Sequence, residues 1–245
     1  EEIELLQKAC NITEKGVRRL LSFVKPGVWE YEIEAELMHE FLRNRSRGFA
    51  YTPIIASGEN ANVLHYIANN MQCKDGDVIL LDIGAEYANY SSDLTRMIPV
   101  NGKFSARQKE IYNAVLDMKN FATSLLVPGN NWYDYHKECG EFYTSKFLEL
   151  GLLDKADVQN QDKNWPAYKK YMMHGTSHHL GLDTHDYGIL KDKFVENMVF
   201  TVEPGIYLPA EGFGVRIEDD MVIQNSGPAF NLMKNIPIEV EEIEE

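Results

Sequence analysis

Twice in this chain an apolar, strand-like run closes on an acid: DVILLD ends at Asp82 and NMVFTVE ends at Glu203. A carboxylate at the end of a buried strand must find a partner, because an unpaired charge cannot be left in an apolar interior. Each run is followed by a Gly-containing turn and a second strand carrying another acid, Asp93 after the first and Glu218 after the second. Ser91, Asp93 and Thr95 share one face by period-two alternation, so Asp93 can point into the same space as Asp82. In GVRIEDDMVI the same alternation sets Val215, Ile217, Met221 and Ile223 against Arg216, Glu218 and Asp220. Taken alone, Asp82 and Asp93 also read as turn-forming aspartates flanking Gly84, and Arg216 as a structural partner for Glu218 or Asp220. The second pair weakens that plainer reading. Glu218, Asp219 and Asp220 stand in a row inside a strand-like run, where like charges repel unless something cationic binds them.

Four of the seven histidines fall in MMHGTSHHLGLDTHDYG, at His174, His178, His179 and His185. A neutral imidazole adds no charge to the acids, so two divalent cations would neutralise Asp82, Asp93, Glu203 and Glu218, whereas one would leave two acids unpaired. Without cations, carboxylates about 4 Å apart would repel by roughly 4 kcal/mol per pair at an effective dielectric near 20, and their proton affinities would rise. Oxygen-rich donors with a single imidazole suit hard or intermediate ions such as manganese or cobalt.

The first 25 residues read as a helix with Ile3, Leu6, Ala9 or Cys10, Thr13, Val17, Leu20 and Val24 on one stripe, halted by Pro26-Gly27. A second helix is expected over about residues 30 to 47, then strands at TPIIAS, DVILLDIG and a run ending in TRMIPV. Ser105 and Gln108 form a capping box for a long helix with Ile111, Val115, Ala122 and Leu125 on its buried face, stopped by Pro128-Gly129. VKPGVWEYEIEAEL near residue 24 is echoed by LVPGNNWYDYHKEC near residue 126, and each half then runs to an acid-closed strand. This reads as a weak tandem duplication that would set two acidic strand pairs face to face; with only Pro-Gly and Trp identical, chance similarity is the rival account. The terminal IEVEEIEE reads as a solvated helix end. No linker separates the halves, so one domain is expected.

Bulk properties narrow the class. With 245 residues and 44% hydrophobic content the chain can bury a sizeable core without staples. Cys10, Cys73 and Cys139 are odd in number and unpaired in spacing, against a disulfide framework or a zinc-thiolate site, and a cytoplasmic, reducing setting is the simplest reading. A formal charge of −14 repels a phosphate backbone, which argues against nucleic acid as a partner. No run approaches a membrane span, and the acidic start is unlike a signal peptide. Because the chain starts without Met at what reads as mid-helix, a piece of a longer polypeptide is expected.

ASGENANVLHY, LLDIGAEYANYSSDLTR, MHGTSHHLGLDTHD, TVEPGIY and GVRIEDD together resemble the aminopeptidase P and prolidase branch of the pita-bread metallopeptidases, over nearly the whole chain. The resemblance implies an α+β pita-bread fold of two pseudo-symmetric halves, about 1–120 and 121–245, each with helices outside a curved, mostly antiparallel sheet. It implies one catalytic domain over 1–245, with the family's N-terminal domain absent. Asp82 and Asp93 would chelate one metal, Asp93 would bridge to a second, His178 would bind that second ion, and Glu203 and Glu218 would complete the pair. Manganese is the first expectation for both ions, with cobalt or zinc next. His65, His174 and His185 would stand near substrate, Arg216 would orient the ligands from behind, and Glu203 would carry the proton of a metal-shared water. Tyr51 and Trp165 are expected along the cleft, and His179 in a lining or structural role.

The implied activity is cleavage between an N-terminal residue and a following proline, with a peptide as partner and homo-oligomer formation left open. Prolidase activity is the alternative. A methionine-aminopeptidase-like enzyme is disfavoured because RIEDD and SHHLGLDTHD resemble the Xaa-Pro branch more closely. A non-catalytic binding module is disfavoured because it has no physical reason to keep four unneutralised acids together.

Overall fold

In a computed structural model describing residues 1–245, the N-terminal stripe forms α1, Glu2–Phe23, which buries Leu6, Ala9, Cys10, Thr13, Val17 and Leu20. Val24 is extended ahead of Pro26, and Gly27 adopts a left-handed φ of 95° that turns the chain away. Helix α2, Glu30–Arg43, packs so close to α1 that a Cβ on Gly16 would lie 2.7 Å from the Phe41 ring. That approach accounts for a glycine in mid-helix, where it costs about 1 kcal/mol of propensity. The helix ends at Arg43, short of residue 47, because Asn44 donates its side-chain amide to the Glu40 carbonyl and Arg45 turns left-handed.

Strands β1, Ile54–Ser57, and β2, Val78–Ile83, pair antiparallel; β3, Glu86–Tyr87, and β4, Tyr90–Ser91, make a short hairpin; and β5, Leu94–Pro99, returns along β2. The central β2 is buried on both faces, which explains its unbroken apolar run: Ile79, Leu81 and Ile83 meet the α1–α2 layer, and Val78 and Leu80 meet the opposite core. The Ser105–Gln108 capping box opens α3, Ala106–Ser124, whose buried face runs through Ile111, Val115 and Ala122 and is closed by Leu126, with Leu125 only half-buried. Helices α4, Trp132–Glu149, and α5, Lys155–Gln159, follow. A second antiparallel sheet is then built from β6, Val199–Val202, β9, Asp219–Val222, and β10, Phe230–Asn231, with β7, Gly205–Leu208, and β8, Phe213–Arg216, as a hairpin beside it.

The echo between the halves reappears in backbone hydrogen bonds. Gly27 N–H donates to the Cys73 carbonyl and Cys73 N–H to that of Val28; Gly129 N–H donates likewise to Phe194 and Phe194 N–H to Asn130. Both glycines are left-handed, at φ 95° and 91°. Counting on from Cys73 and Phe194 by the same number of residues reaches Asp82 and Glu203.

The terminal run forms the solvated helix end expected of it, α6, Val240–Ile243, with Glu239, Glu241, Glu242 and Glu245 exposed, Val240 and Ile243 buried in the core, and Glu244 paired with Lys109 at 2.9 Å. One sequence expectation is corrected. The acidic triplet does not act as one charge cluster, because Asp219 turns to the opposite side from Glu218. There it meets Arg96 at 2.6 Å and the Lys119 ammonium, with Asn231 donating to it at 2.8 Å. Burial alone would raise the Asp219 proton affinity, but the charges of Arg96 and Lys119 outweigh it and hold the carboxyl at about 2.

Removing that anion would strand two buried cations, so Asp219→Ala should cost about 3–5 kcal/mol at neutral pH, measured by urea unfolding. The folded value lies below the unfolded one, near 3.9, so this stabilisation is complete above about pH 4 and vanishes as pH falls through 2. The gap between wild type and variant should therefore be flat near neutrality and shrink towards pH 2.

Candidate active site

The two sheets meet along β5 and β9, and one residue pair binds them at the pocket. Thr95 on β5 accepts the Glu218 N–H on its carbonyl at 3.1 Å and donates its hydroxyl to Glu218 Oε2 at 2.7 Å. Glu218 occupies the bend where the chain leaves its partner β7 and joins β6 as β9. Asp82 lies opposite Thr95 near the end of β2, Asp93 just ahead of β5, and Glu203 just past β6. Asp93 N–H donates to Asp220 at 3.1 Å, a third fate for the acidic triplet. Gly84 permits the closure between Asp82 and Asp93: a Cβ there would fall 1.8 Å from the Ser92 carbonyl oxygen and 2.9 Å from the Tyr51 ring.

His178 arrives on an extended segment laid along β6. Thr201 N–H donates to its carbonyl at 3.0 Å, its own N–H donates to the Thr201 hydroxyl at 3.1 Å, and Glu203 N–H donates to the Thr176 carbonyl at 2.8 Å. From behind, Tyr135 and Tyr143 of α4 bond to the Ser177 and Thr176 hydroxyls at 2.6 and 3.0 Å. His178 Nε2 then lies 3.4 Å from Asp93 and 3.6 Å from Glu203. Donor atoms of Asp93, His178 and Glu218 all fall within 4.8 Å of one another.

These side chains line a pocket of about 560 Å³ that also takes in His65, His174, His185, Arg216, Tyr51, Ile54, Leu64 and Ile67. Arg216 meets Asp82 Oδ2 at 2.6 Å and donates to the Tyr207 hydroxyl at 2.8 Å and the Thr95 hydroxyl at 3.2 Å. His174 Nε2 lies 2.7 Å from the same Tyr207 hydroxyl. His185 packs edge-on against the His178 ring, centroids 4.3 Å apart, and His65 is exposed at the pocket lip. The Tyr51 hydroxyl sits 2.7 Å from Asp82 and 2.6 Å from Asp93. A phenol has one proton to give, so it can satisfy only one of these carboxylates at a time.

Trp165, expected along the cleft, is 56% exposed and lies away from the pocket. His179 packs on Phe200 and Trp132, a structural position. Sequence reasoning passed over Thr95 as a site residue and Tyr207 altogether. Tyr207 was findable, since alternation puts Glu203, Gly205 and Tyr207 on one face of the strand.

The pocket's electrostatics are dominated by crowded negative charge. Burial, then repulsion from Asp93, Glu203 and Asp82, pushes Glu218 well above the carboxylate range. Burial also lifts Glu203 to about 8, against the pull of His178 and Arg216, and raises Asp82 despite Arg216. Burial would depress His178, but its Asp93 hydrogen bond and the charges of Glu203 and Asp93 carry it up to about 9. Burial and nearby Arg216 hold His174 down to about 3, so it stays neutral. With all four carboxylates ionised, Arg216 and a protonated His178 would still leave two negative charges unbalanced. Divalent cations fit this deficit: the donors are oxygens plus one imidazole, gathered at ligand-like spacing and short of positive charge.

Residues 4–225 match the profile of metallopeptidase family M24. The chain is 42% identical to the Xaa-Pro aminopeptidase of Haemophilus influenzae, over 99% of this chain and 59% of that protein. It is 40% identical to the Escherichia coli Xaa-Pro aminopeptidase, over 100% and 57% respectively. The structure of zinc-substituted E. coli aminopeptidase P with product superposes with a TM-score of 0.91 at 38% identity, covering all of this chain and 57% of that one. Mixed helices and antiparallel sheet match the pita-bread fold of these neighbours. The chain thus spans under two thirds of the length of these relatives.

Gly84→Ala should destabilise the protein by at least about 2 kcal/mol, because a fixed backbone oxygen stands in the way of the new methyl. Thermal unfolding of the variant checks this, and an unchanged Tm would contradict the close approach.

Proposed function

The chain belongs to metallopeptidase family M24, and from that premise we propose that it carries the active centre of an Xaa-Pro aminopeptidase, releasing an N-terminal residue from a peptide whose second residue is proline. One observation carries this reading: four carboxylates and an imidazole converge on a single open pocket with Arg216 as their one permanent counter-charge. Asp82, Asp93, His178, Glu203 and Glu218 would hold two divalent cations, manganese first among them, with cobalt or zinc as substitutes. Such ions, when bound, polarise a scissile carbonyl and lower the pKa of water.

The remaining work falls to side chains. Glu203, on the pocket wall beside His178, takes a proton from the attacking water and hands it to the departing proline nitrogen. Arg216 clamps the outer oxygen of Asp82 and so fixes the direction of the inner one. His65 and His185 line the pocket where they can donate hydrogen bonds to oxygen that gains charge as the carbonyl is attacked, and His174, its ring nitrogens held by the Gly175 carbonyl and the Tyr207 hydroxyl, lines the cleft beside the substrate. Proline suits this pocket because its tertiary amide brings no N–H that would need an acceptor, and Ile54, Leu64 and Ile67 offer an apolar lining for the ring.

We read residues 1–245 as one catalytic domain working in a cytoplasmic setting, which the three buried, free cysteines support. No helix is long and apolar enough to cross a membrane.

Glu203→Gln should lower kcat on an Arg-Pro-Pro peptide by at least about a hundredfold with the fold retained by circular dichroism. Near-normal turnover would remove Glu203 as proton carrier, and preference for Met-Gly-Met over Arg-Pro-Pro would redirect the substrate assignment. Complete chelation of the metal-loaded protein should lower its stability by about 2–3 kcal/mol, as expected for loss of ligands present near a hundredfold over Kd. An unchanged melting temperature after metal stripping would count against metal binding at this cluster.

A further inference from the structure

One buried carboxylate has no place in the pocket. Glu30, the first residue of α2, is 0% exposed. Its Oε1 accepts from the Ser57 N–H and the Ser57 hydroxyl, both at 2.8 Å, and from the Asn60 amide at 3.2 Å. Its Oε2 accepts from the Tyr66 hydroxyl at 2.8 Å and the Met71 N–H at 2.9 Å. All of these donors belong to one stretch, residues 57–71, which leaves β1 and winds back towards β2. A carboxylate offers about four lone-pair positions over two oxygens, so this one is saturated; an amide would turn an NH2 group against donors.

The far limb of the same loop has its own anchor. Asn69, buried and left-handed at φ 43°, donates to the Pro53 carbonyl at 3.0 Å and accepts the Ile55 N–H at 3.0 Å. Between the anchors the chain comes to the surface: Val63 is 55% and Ile67 59% exposed, while Ala61, Leu64 and Tyr66 pack against the core. Yet Leu64, His65 and Ile67, from that span, form part of the pocket wall, and His65 directly precedes Tyr66, whose hydroxyl Glu30 holds.

We infer that Glu30 is a positioning residue, which acts through residues 57–71 to hold His65, Leu64 and Ile67 against the substrate. The inference rests on the peptidase reading for what His65 touches, but not for the tether itself. A purely structural carboxylate would stabilise the whole domain evenly. A positioning one governs the loop and the substrate and leaves the metal cluster alone.

The test uses Glu30→Gln in the metal-loaded protein, with hydrogen exchange, bound metal and steady-state kinetics on an Arg-Pro-Pro peptide. Exchange should quicken in residues 58–70, metal content should stay at the wild-type level, and kcat/KM should fall about 10- to 100-fold, as expected for a misplaced contact. Introduced into His65→Ala, the same substitution should cost clearly less than it does alone, because the two act through one loop. Wild-type kcat/KM in Glu30→Gln, losses that multiply fully in the double variant, or faster exchange spread evenly over the chain would each overturn the inference. Should Glu30→Gln fail to fold, Tyr66→Phe combined with Ser57→Ala removes two of the donors and should give the same pattern at smaller size; wild-type exchange and kinetics there would overturn it equally. If the wild type cleaves no Xaa-Pro peptide, the peptidase reading fails, while the exchange comparison still decides whether Glu30 tethers the loop.

Discussion

Concentrated negative charge at the seam between two small sheets is the constraint around which this structure is organised. At 4 Å and an effective dielectric near 20, each carboxylate pair costs roughly 4 kcal/mol, so four cannot sit together on backbone geometry alone. The surroundings respond in graded ways. Arg216 neutralises one acid directly, Tyr51 offers a single proton to two, and Thr95 gives its hydroxyl to Glu218. A layer of neutral hydroxyls, on Tyr207, Tyr135 and Tyr143, fixes the groups that approach the acids without adding charge of its own. The positive charge still missing is the physical case for divalent cations.

The paired backbone motif shows how the acids come to meet. Each half turns at a left-handed glycine, opens a helix, locks that turn onto the segment leading into a strand, and delivers an acid at the strand's end. The halves then diverge. The first contributes the loop that carries His65, held from α2; the second contributes the extended segment that carries His178, held from α4. Two copies of one plan supply the shared acids, and their departures from it supply the groups that distinguish one side of the pocket from the other.

Much of this was legible in the residues. Asp82 and Glu203 could be found because an apolar run that closes on an acid has few structural uses, and the Ser105–Gln108 cap and the α1 stripe have direct local causes. What escaped depends on distant partners. Asp219 shares a triplet with Glu218, but its fate is set by Arg96 and Lys119, which no period relates to it. The burial of Val240 and Ile243 was hidden by the glutamates around them. Tyr207 and Thr95 carry no charge, so nothing in their residue type marks them as partners of the acids. Glu30 looked like any acid in the first turn of a helix, because the groups that bind it are spread over a loop whose shape only folding creates.

Glu218 stands at the bend of a strand that belongs first to one hairpin and then to the other sheet. The strand ties that hairpin to the sheet of β6 and β9, and because Glu218 at its bend is also bonded to Thr95 of the first sheet, one residue is the hinge pin shared by all three.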